Sequence, residues 1–504
     1  MKKLVISMSL LTALLLASCN NEEKEILNQE ISQEELQTEP LTPEQINQAI
    51  NDAIRNTGSF DWKDASDHLI WSAAVHGYNV ITIGYGSSEQ AFEKDGEGDL
   101  EGIKNNLLSI ARSLEDVAAN REEDMLIYED EILTVIDIKV ENIETIKELR
   151  NTEGVRYLEP SGYEYSKVEA AQASSKGCSF AGSALSSADY TTTTPNNVKV
   201  PWTFTRPDHQ IQQAWSYSTG AGVTIGIVDT GLSPNQSLMN SSGFNDGFSS
   251  GRFVQKYGTY VDSFWPWSTK TDGPNDKCGH GTSMAAVATA PRNDNGMPVG
   301  VAYNANLVSY RAAEDVVLDG YHETRGVANA FTALGNRSDV KIISMSMGNI
   351  FSSGRIKDGI RYAYNRGKLI FCAAGTSTSF TNFVGVIFPA SMSETVAVTG
   401  VEEGSYNECD VCHKGSKVDF TVEMERSNNN HIPTLGYYNG DTDYVGGSSV
   451  STATTAGIAA LVWARHPSWS RSQVLNKLIQ SAELYPNKSG SYGWGNINAL
   501  QAVQ

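Results

Sequence analysis

The hydrophobic pattern of the chain changes its rhythm twice. An unbroken apolar run from Leu4 to Ala17 comes first. Residues 20–70 then show only a weak helical spacing, as in "TPEQINQAINDAI", among many Glu, Gln and Asn. From Asn79 the pattern sharpens. "NVITIGY" is an apolar strand, and "LEGIKNNLLSIARSLEDV" sets Ile103, Leu107, Leu108, Ile110 and Leu114 on a helix face. "EILTVIDIKV" reads as a strand, "NIETIKELRN" as a short amphipathic helix and "VRYLEP" as a last strand. Strands alternating with helices over about 90 residues predict a small α/β sandwich.

Beyond residue 200 the strands are apolar throughout rather than alternating. "AGVTIGIVDTG" carries Val223, Ile225, Ile227 and Val228, with Asp229-Thr230-Gly231 turning off its end. "VKIISMSMG", "KLIFCAAGT" and "ETVAVTGV" repeat the pattern, and helical spacing lies between them, as in "GRIKDGIRYAYNRG". Strands of this kind belong to parallel sheets covered on both faces. The prediction is an α/β fold with a mostly parallel sheet flanked by helices. In such sheets sites gather at the carboxyl ends of strands, where Asp229, Gly348 and Thr376 fall.

Charge divides the chain at the same place. Residues 20–168 hold 33 Asp and Glu against 12 Lys and Arg, a balance of −21, whereas residues 169–504 carry only −2. Two regions of different kind are implied. No basic patch argues for nucleic acid.

Lys2 and Lys3 precede the apolar run, which is too short to be a spanning element of the fold. It ends in "LLASC", which resembles the cleavage box of bacterial lipoproteins. That resemblance implies a signal peptide over residues 1–19, a lipid on Cys19, and anchorage in the bacterial envelope, at the outer membrane or cell surface. Disulfides are permitted there.

The candidate chemistry starts at "CGHGTSMAAV", Cys278 to Val287, which holds both a glycine-flanked histidine and a serine at a helix start. A serine needs a positioned imidazole as base, and the imidazole needs a carboxylate to fix its tautomer. Of the eight histidines only His280 is so flanked. Ser283 lies three residues along the same helix, tied to the same turn, and would not readily face the imidazole across a cleft. "GGSSVSTATTAGIAAL" supplies the other candidate. Gly446 and Gly447 permit close backbone approach, and Ser448 or Ser449 opens a helix whose free N–H groups favour developing negative charge.

"IVDTG", "GHGTSMAAVA" and "GGSSVSTATTAGIAAL" resemble the three boxes of the subtilase serine proteases, in the order Asp, His, Ser. The likeness runs from Val200 to the "YGWGNINALQAV" end. It implies a catalytic Asp229, His280 and Ser449, the motif around Ser283 being a decoy. It implies an oxyanion site made by the Ser449 backbone N–H and by position 376. There the family has an asparagine and this chain Thr376, whose hydroxyl is shorter and must rotate into place. Ser346, Met347 and Gly348, with Ala374 and Gly375, would bind an extended peptide as an added strand. The acidic region resembles the family's propeptide, an inhibitor and chaperone with a ferredoxin-like fold, cut near Lys167.

The expected organisation is therefore a signal peptide (1–19), a tether or helical spacer (20–75), a propeptide (76–167), a linker (168–199) and a catalytic domain (200–504). The expected activity is that of a self-processed serine endopeptidase, a monomer acting on proteins or peptides. The rival is a pseudoprotease that holds peptides without cutting them. No cofactor is expected. "PRNDNGMP" (291–298) lies where many subtilases hold structural calcium, but Asp294 is its only carboxylate, which favours a plain Asn-Gly turn.

Six cysteines remain to be placed. Cys19 is taken by lipid, and Cys372 in "LIFCAAG" reads as a buried thiol. Cys178, Cys278, Cys409 and Cys412 leave three pairings open. "CDVCH" has the form of a haem-attachment motif, and Cys409, Cys412 and His413 could be three zinc ligands, but a disulfide loop is the favoured reading.

Overall fold

The computed structural model describes residues 39–95, 98–115, 125–165, 177–193, 197–293, 295–375, 385–409 and 411–504. The N-terminal apolar run, Cys19, Lys167, Asp294 and Thr376 lie outside them.

From Asn79 onward the acidic region forms the predicted elements and one strand that was not foreseen, Leu126–Glu129. Strand β1 (Val80–Tyr85), a helix (Leu100–Leu114), β2 (Leu126–Glu129), β3 (Val135–Lys139), a helix (Ile143–Asn151) and β4 (Val155–Pro160) follow in order. The sheet order β2-β3-β1-β4, antiparallel throughout, is the ferredoxin-like arrangement. The described part of the segment before it, from residue 39, packs into the same unit. Helix α1 (Pro43–Thr57), capped by Thr42 and Gln45, and helix α2 (Asp67–His76) bury Ile46, Ile50, Ile54, Leu69 and Ile70 in the same core as Ile81, Ile83, Ile136 and Ile138. The expected boundary at residue 75 therefore has no counterpart in the packing. The weak spacing of residues 43–57 hid one well-defined apolar edge among polar neighbours.

The second unit is built on a seven-stranded parallel sheet, order β13-β12-β11-β10-β7-β9-β8. At its centre β7 (Thr224–Asp229) lies between β10 (Val340–Met345) and β9 (Asn306–Arg311). On one side of that trio are β11 (Leu369–Ala373), β12 (Val396–Glu402) and β13 (Val418–Glu425), and on the other β8 (Val254–Gly258). Helices α3 (His280–Thr289), α4 (Tyr321–Gly335), α5 (Gly354–Asn365) and α6 (Gly447–Arg465) connect and cover it. This is the expected subtilisin-like α/β fold. Strands β8, β9 and β13 were not foreseen, because their sequences ("VQKYG", "NLVSYR", "VDFTVEME") mix polar with apolar residues.

Residues 177–193, expected as part of a linker, belong to this second unit. Cys178 is bonded to Cys278, and Tyr190–Thr192 pairs with Lys199–Pro201 as a two-stranded ribbon. The other bridge is Cys409–Cys412, which takes both sulfurs away from the haem and zinc readings. Cys372 is free and buried, and burial pushes its thiol up to about 12.

The two units meet over α5. Phe351 of the loop before it enters the small unit's core against Phe60, Trp62 and Tyr165. Two buried ion pairs flank it, Arg156 with Asp358 and Arg355 with Asp137. Glu159 accepts from the Gly354 N–H at the start of α5, and burial pushes its carboxyl up to about 8. Removing one partner of such a buried pair leaves a stranded charge, so these contacts fix the register of the interface more than they stabilise it.

Candidate active site

Asp229 ends β7, level with Arg311 at the end of β9. Its carboxylate is fully buried. Oδ1 accepts the Thr230 N–H at 2.8 Å and the His280 ring at 2.8 Å, and Oδ2 has no partner among the described residues. An ionised carboxylate can only accept, so the bonded nitrogen, Nδ1, carries the proton. The Nε2 lone pair is left for whatever enters the cleft.

His280 opens α3, and a carboxylate the sequence reading missed holds that helix start. Asp276 Oδ1 accepts from the N–H groups of Cys278 and Gly279, each at 2.8 Å. Its Oδ2 accepts from the Thr282 N–H at 3.0 Å and the Thr282 hydroxyl at 2.6 Å. The Thr230 hydroxyl donates to Asp276 and accepts from the Gly281 N–H, locking α3 to the end of β7. The visible signal was an acidic residue four positions before a histidine that begins a helix, a place where orphan N–H groups need an acceptor. Gly279, at φ 95°, must be glycine, because a Cβ there would stand 2.1 Å from the Ser179 carbonyl oxygen. Burial works to lower the His280 pKa, but the charge and hydrogen bond of Asp229, with the charge of Asp276, outweigh it. The result lies above the ordinary histidine value.

Ser449 stands in the first turn of α6. That helix runs through the middle of the unit, and from Gly447 to Trp463 every residue is buried except Ser449. The same holds for α3, where His280 alone from Cys278 to Ala290 is not buried. The Ser449 hydroxyl donates to the Ser346 carbonyl at 3.4 Å, and the Ser346 hydroxyl donates back to the Ser449 carbonyl at 3.1 Å. No hydrogen bond joins Ser449 to His280 among the described residues. Ser448 accepts from the Gly375 N–H at 3.1 Å.

The residues expected to receive a peptide have protein partners in this state. The Gly348 N–H donates to the Val316 carbonyl at 3.0 Å, and its carbonyl accepts from the Leu318 N–H at 3.1 Å, so the expected open edge is paired with the chain's own loop. The Ala374 carbonyl accepts from the Ile387 N–H, and the Gly375 carbonyl from the His413 N–H. Met347 is buried.

The loop at 291–298 does not fit a divalent cation by its described atoms. Asn293 and Asn295 turn their side-chain oxygens onto the N–H groups of Asn295 and Met297, the Met297 carbonyl accepts from the Lys199 N–H, and the Lys199 ammonium lies against the Gly296 carbonyl. Among the described residues no group of three or more His, Cys, Asp or Glu could hold a metal ion.

The chain is similar to several known proteins. Subtilisin of Bacillus sp. (strain TA39) is 28% identical over 298 residues, covering 55% of this chain and 66% of its own length. Thermitase of Thermoactinomyces vulgaris is 25% identical over 295 residues, covering 58% of this chain and 93% of its own. A crystal structure of MycP1 from Mycobacterium smegmatis aligns over 63% of this chain and 88% of its own, at 19% identity and a TM-score of 0.47. The model of the Subtilase family matches residues 220–495, more than half the chain and both helix starts described above, and the chain belongs to that family.

Proposed function

We propose that the chain is a serine endopeptidase in which Ser449 is the nucleophile, His280 the base and Asp229 the group that orients it. The observation that carries this reading is the 2.8 Å bond from the His280 ring to a fully buried Asp229, which leaves Nε2 free to act as base, while Ser449 is the one residue from Gly447 to Trp463 that is not buried. Ser449 attacks the scissile carbonyl as Nε2 takes its proton. The imidazolium, held by Asp229, then protonates the leaving amine, and water repeats the sequence on the acyl-enzyme. The start of α6 offers the Ser449 N–H to the oxyanion, with the Thr376 hydroxyl as second donor. Rotation of the Ser449 side chain away from the Ser346 carbonyl precedes attack.

The small N-terminal unit is read as the propeptide. It covers α5 and leads, at Tyr163 and Tyr165, into the segment that contains Lys167, near which self-cleavage is placed. Cys19 is read as the lipid attachment site and the envelope as the location. One observation favours the pseudoprotease rival: Ser449 bonds to Ser346 and not to His280. A fluorophosphonate probe separates the two. Rapid, stoichiometric labelling at Ser449 in the processed protein is the expected result. A folded, processed protein that resists the probe while binding peptides would establish the rival.

A further inference from the structure

The motif "CDVCH" has no part in the mechanism above, yet its Cys412 and His413 contact Met424 and Gly375, which adjoin the start of α6. The Cys409–Cys412 bridge spans a sequence separation of 3. So small a ring removes little chain entropy from the unfolded state, unlike Cys178–Cys278 with its separation of 100. Both sulfur-bearing residues are nonetheless buried. Such a bridge is better suited to fixing local geometry than to stapling the fold.

Two lines of contact lead from it to the residues that precede Ser449, one to Ser448 and one to Gly447. The first runs through His413, the next residue after the bridge. Its backbone N–H donates to the Gly375 carbonyl at 3.2 Å, and its carbonyl accepts from the Thr399 hydroxyl at 2.5 Å. Its ring Nδ1 donates to the Gly385 carbonyl at 2.8 Å and fills the place a Cβ on Gly375 would take, 2.5 Å away. Gly375 in turn donates to Ser448, the neighbour of the nucleophile. The second line runs through Met424. Its sulfur lies 3.9 Å from Cys412 Sγ and 2.9 Å from the Gly447 nitrogen at the start of α6. Gly400 leaves room for this stack, since a Cβ there would stand 2.4 Å from Met424 and 2.7 Å from Cys412 Sγ.

We propose that Cys409, Cys412 and His413 form a positioning unit for the reaction centre, which sets Gly375 and Gly447 and through them the start of α6, so that the Ser449 N–H stands at catalytic distance from an oxyanion. The proposal rests on the protease reading above. Donors to an oxyanion act over 2.7–3.1 Å, and a displacement of about 1 Å costs about a hundredfold in rate without removing any reacting group. None of the three residues touches substrate, so the expected signature is a loss in turnover with little change in binding.

The test uses the self-processed full chain carrying His413→Ala, His413→Asn, the pair Cys409→Ala/Cys412→Ala, or the pair Cys178→Ala/Cys278→Ala as comparator. Steady-state kinetics on one peptide are read beside Tm. His413→Ala and the Cys409/Cys412 pair should lower kcat by about 10–100-fold with KM within about threefold of the parent. His413→Asn should recover most of it, because its amide nitrogen sits as many bonds from the backbone as Nδ1 and can donate to Gly385. The Cys178/Cys278 pair should lower Tm, and any loss of kcat should follow that loss of Tm, because Cys278 adjoins the start of α3. A folded His413→Ala chain that stays uncut while His413→Asn is processed also supports the proposal. It is overturned if His413→Ala keeps kcat within twofold. It is overturned too if His413→Asn is no better than His413→Ala and both merely follow their loss of Tm, or if neither His413→Ala nor the Cys409/Cys412 pair folds. A parent inactive on every peptide would count against the protease reading instead.

Discussion

Two short helix starts in this protein are similar in sequence and differ in the side chain they leave uncovered. "GTSMAA" puts Ser283 in the first turn of α3, and "GSSVSTA" puts Ser449 in the first turn of α6. Both follow a glycine with positive φ, Gly279 at 95° and Gly447 at 77°. Both helices are packed on nearly all sides with small residues. They differ in which residue of the turn is left uncovered. In α3 it is His280, and Ser283 turns inward to 8% exposure. In α6 it is Ser449, while Ser448 is fully buried and spends its hydroxyl on Gly375. A motif specifies a helix start. Which side chain of that start meets the cleft is decided by the elements packed around it.

The comparison breaks most sharply at the proposed nucleophile, Ser449. Ser449→Ala should lower peptide hydrolysis by a factor on the order of 10⁶ and leave the precursor uncut, since Ser448, the other hydroxyl of that turn, is fully buried. Mass spectrometry of the expressed chain reads the processing. Next comes Asp229→Asn. The amide preserves shape but cannot select the Nδ1–H tautomer as a carboxylate does, and kcat should fall by about 10⁴ with KM nearly unchanged. A loss below tenfold would mean that His280 is held by something other than Asp229. Thr376→Val should lower kcat by about 10²–10³ if its hydroxyl is the second oxyanion donor, and Thr376→Asn should match or exceed the parent. A silent valine would leave the Ser449 N–H to act with water or another group.

Much of this was legible in the sequence. The strand ending in Asp229, the helix after His280 and the helix after Ser449 each carry a local signal, a continuous apolar run or a glycine-flanked polar residue, and each forms where it was expected. What escaped lay in long-range pairing. Asp276 is one acidic residue in a polar loop until Thr230 and the α3 N–H groups surround it. The open edge expected at Gly348 is filled by Val316 and Leu318, more than 25 residues earlier in the chain, and no periodicity encodes that register. Helix α1 looked like tether because its core contacts come from strands that follow it by tens of residues. The partners of Cys178 and Cys278 were open for the same reason.

A smaller effect sharpens the contrast between the two helix starts through pH. His280 must be neutral to act as base, and its pKa lies above the ordinary histidine value because Asp229 and Asp276 favour the charged ring. Activity should therefore fall as pH drops through that raised value, about tenfold for each unit below it. The acid limb of the kcat/KM profile should lie above about 6.5. A limb well below that would mean that the charge of Asp229 is not felt at the ring.

The smallest expected effect belongs to the other serine, and it decides whether the comparison stands. The contacts the structure gives Ser283 are made by its backbone. Its N–H donates to the Gly279 carbonyl at 3.2 Å, and its carbonyl accepts from the Thr434 hydroxyl at 3.5 Å. Alanine keeps both, fits the space a serine Cβ already occupies, and has the better helix propensity by about 0.5 kcal/mol. Ser283→Ala should process like the parent, keep kcat/KM within about twofold, and hold or slightly raise Tm, by no more than a few degrees for a unit of this size. The measurement is the same kinetics and thermal melt made on Ser449→Ala. If Ser283→Ala instead stopped processing in a chain that melts like the parent, the Ser283 hydroxyl would be the working one. The burial of Ser283 would then describe a resting state rather than the reacting one.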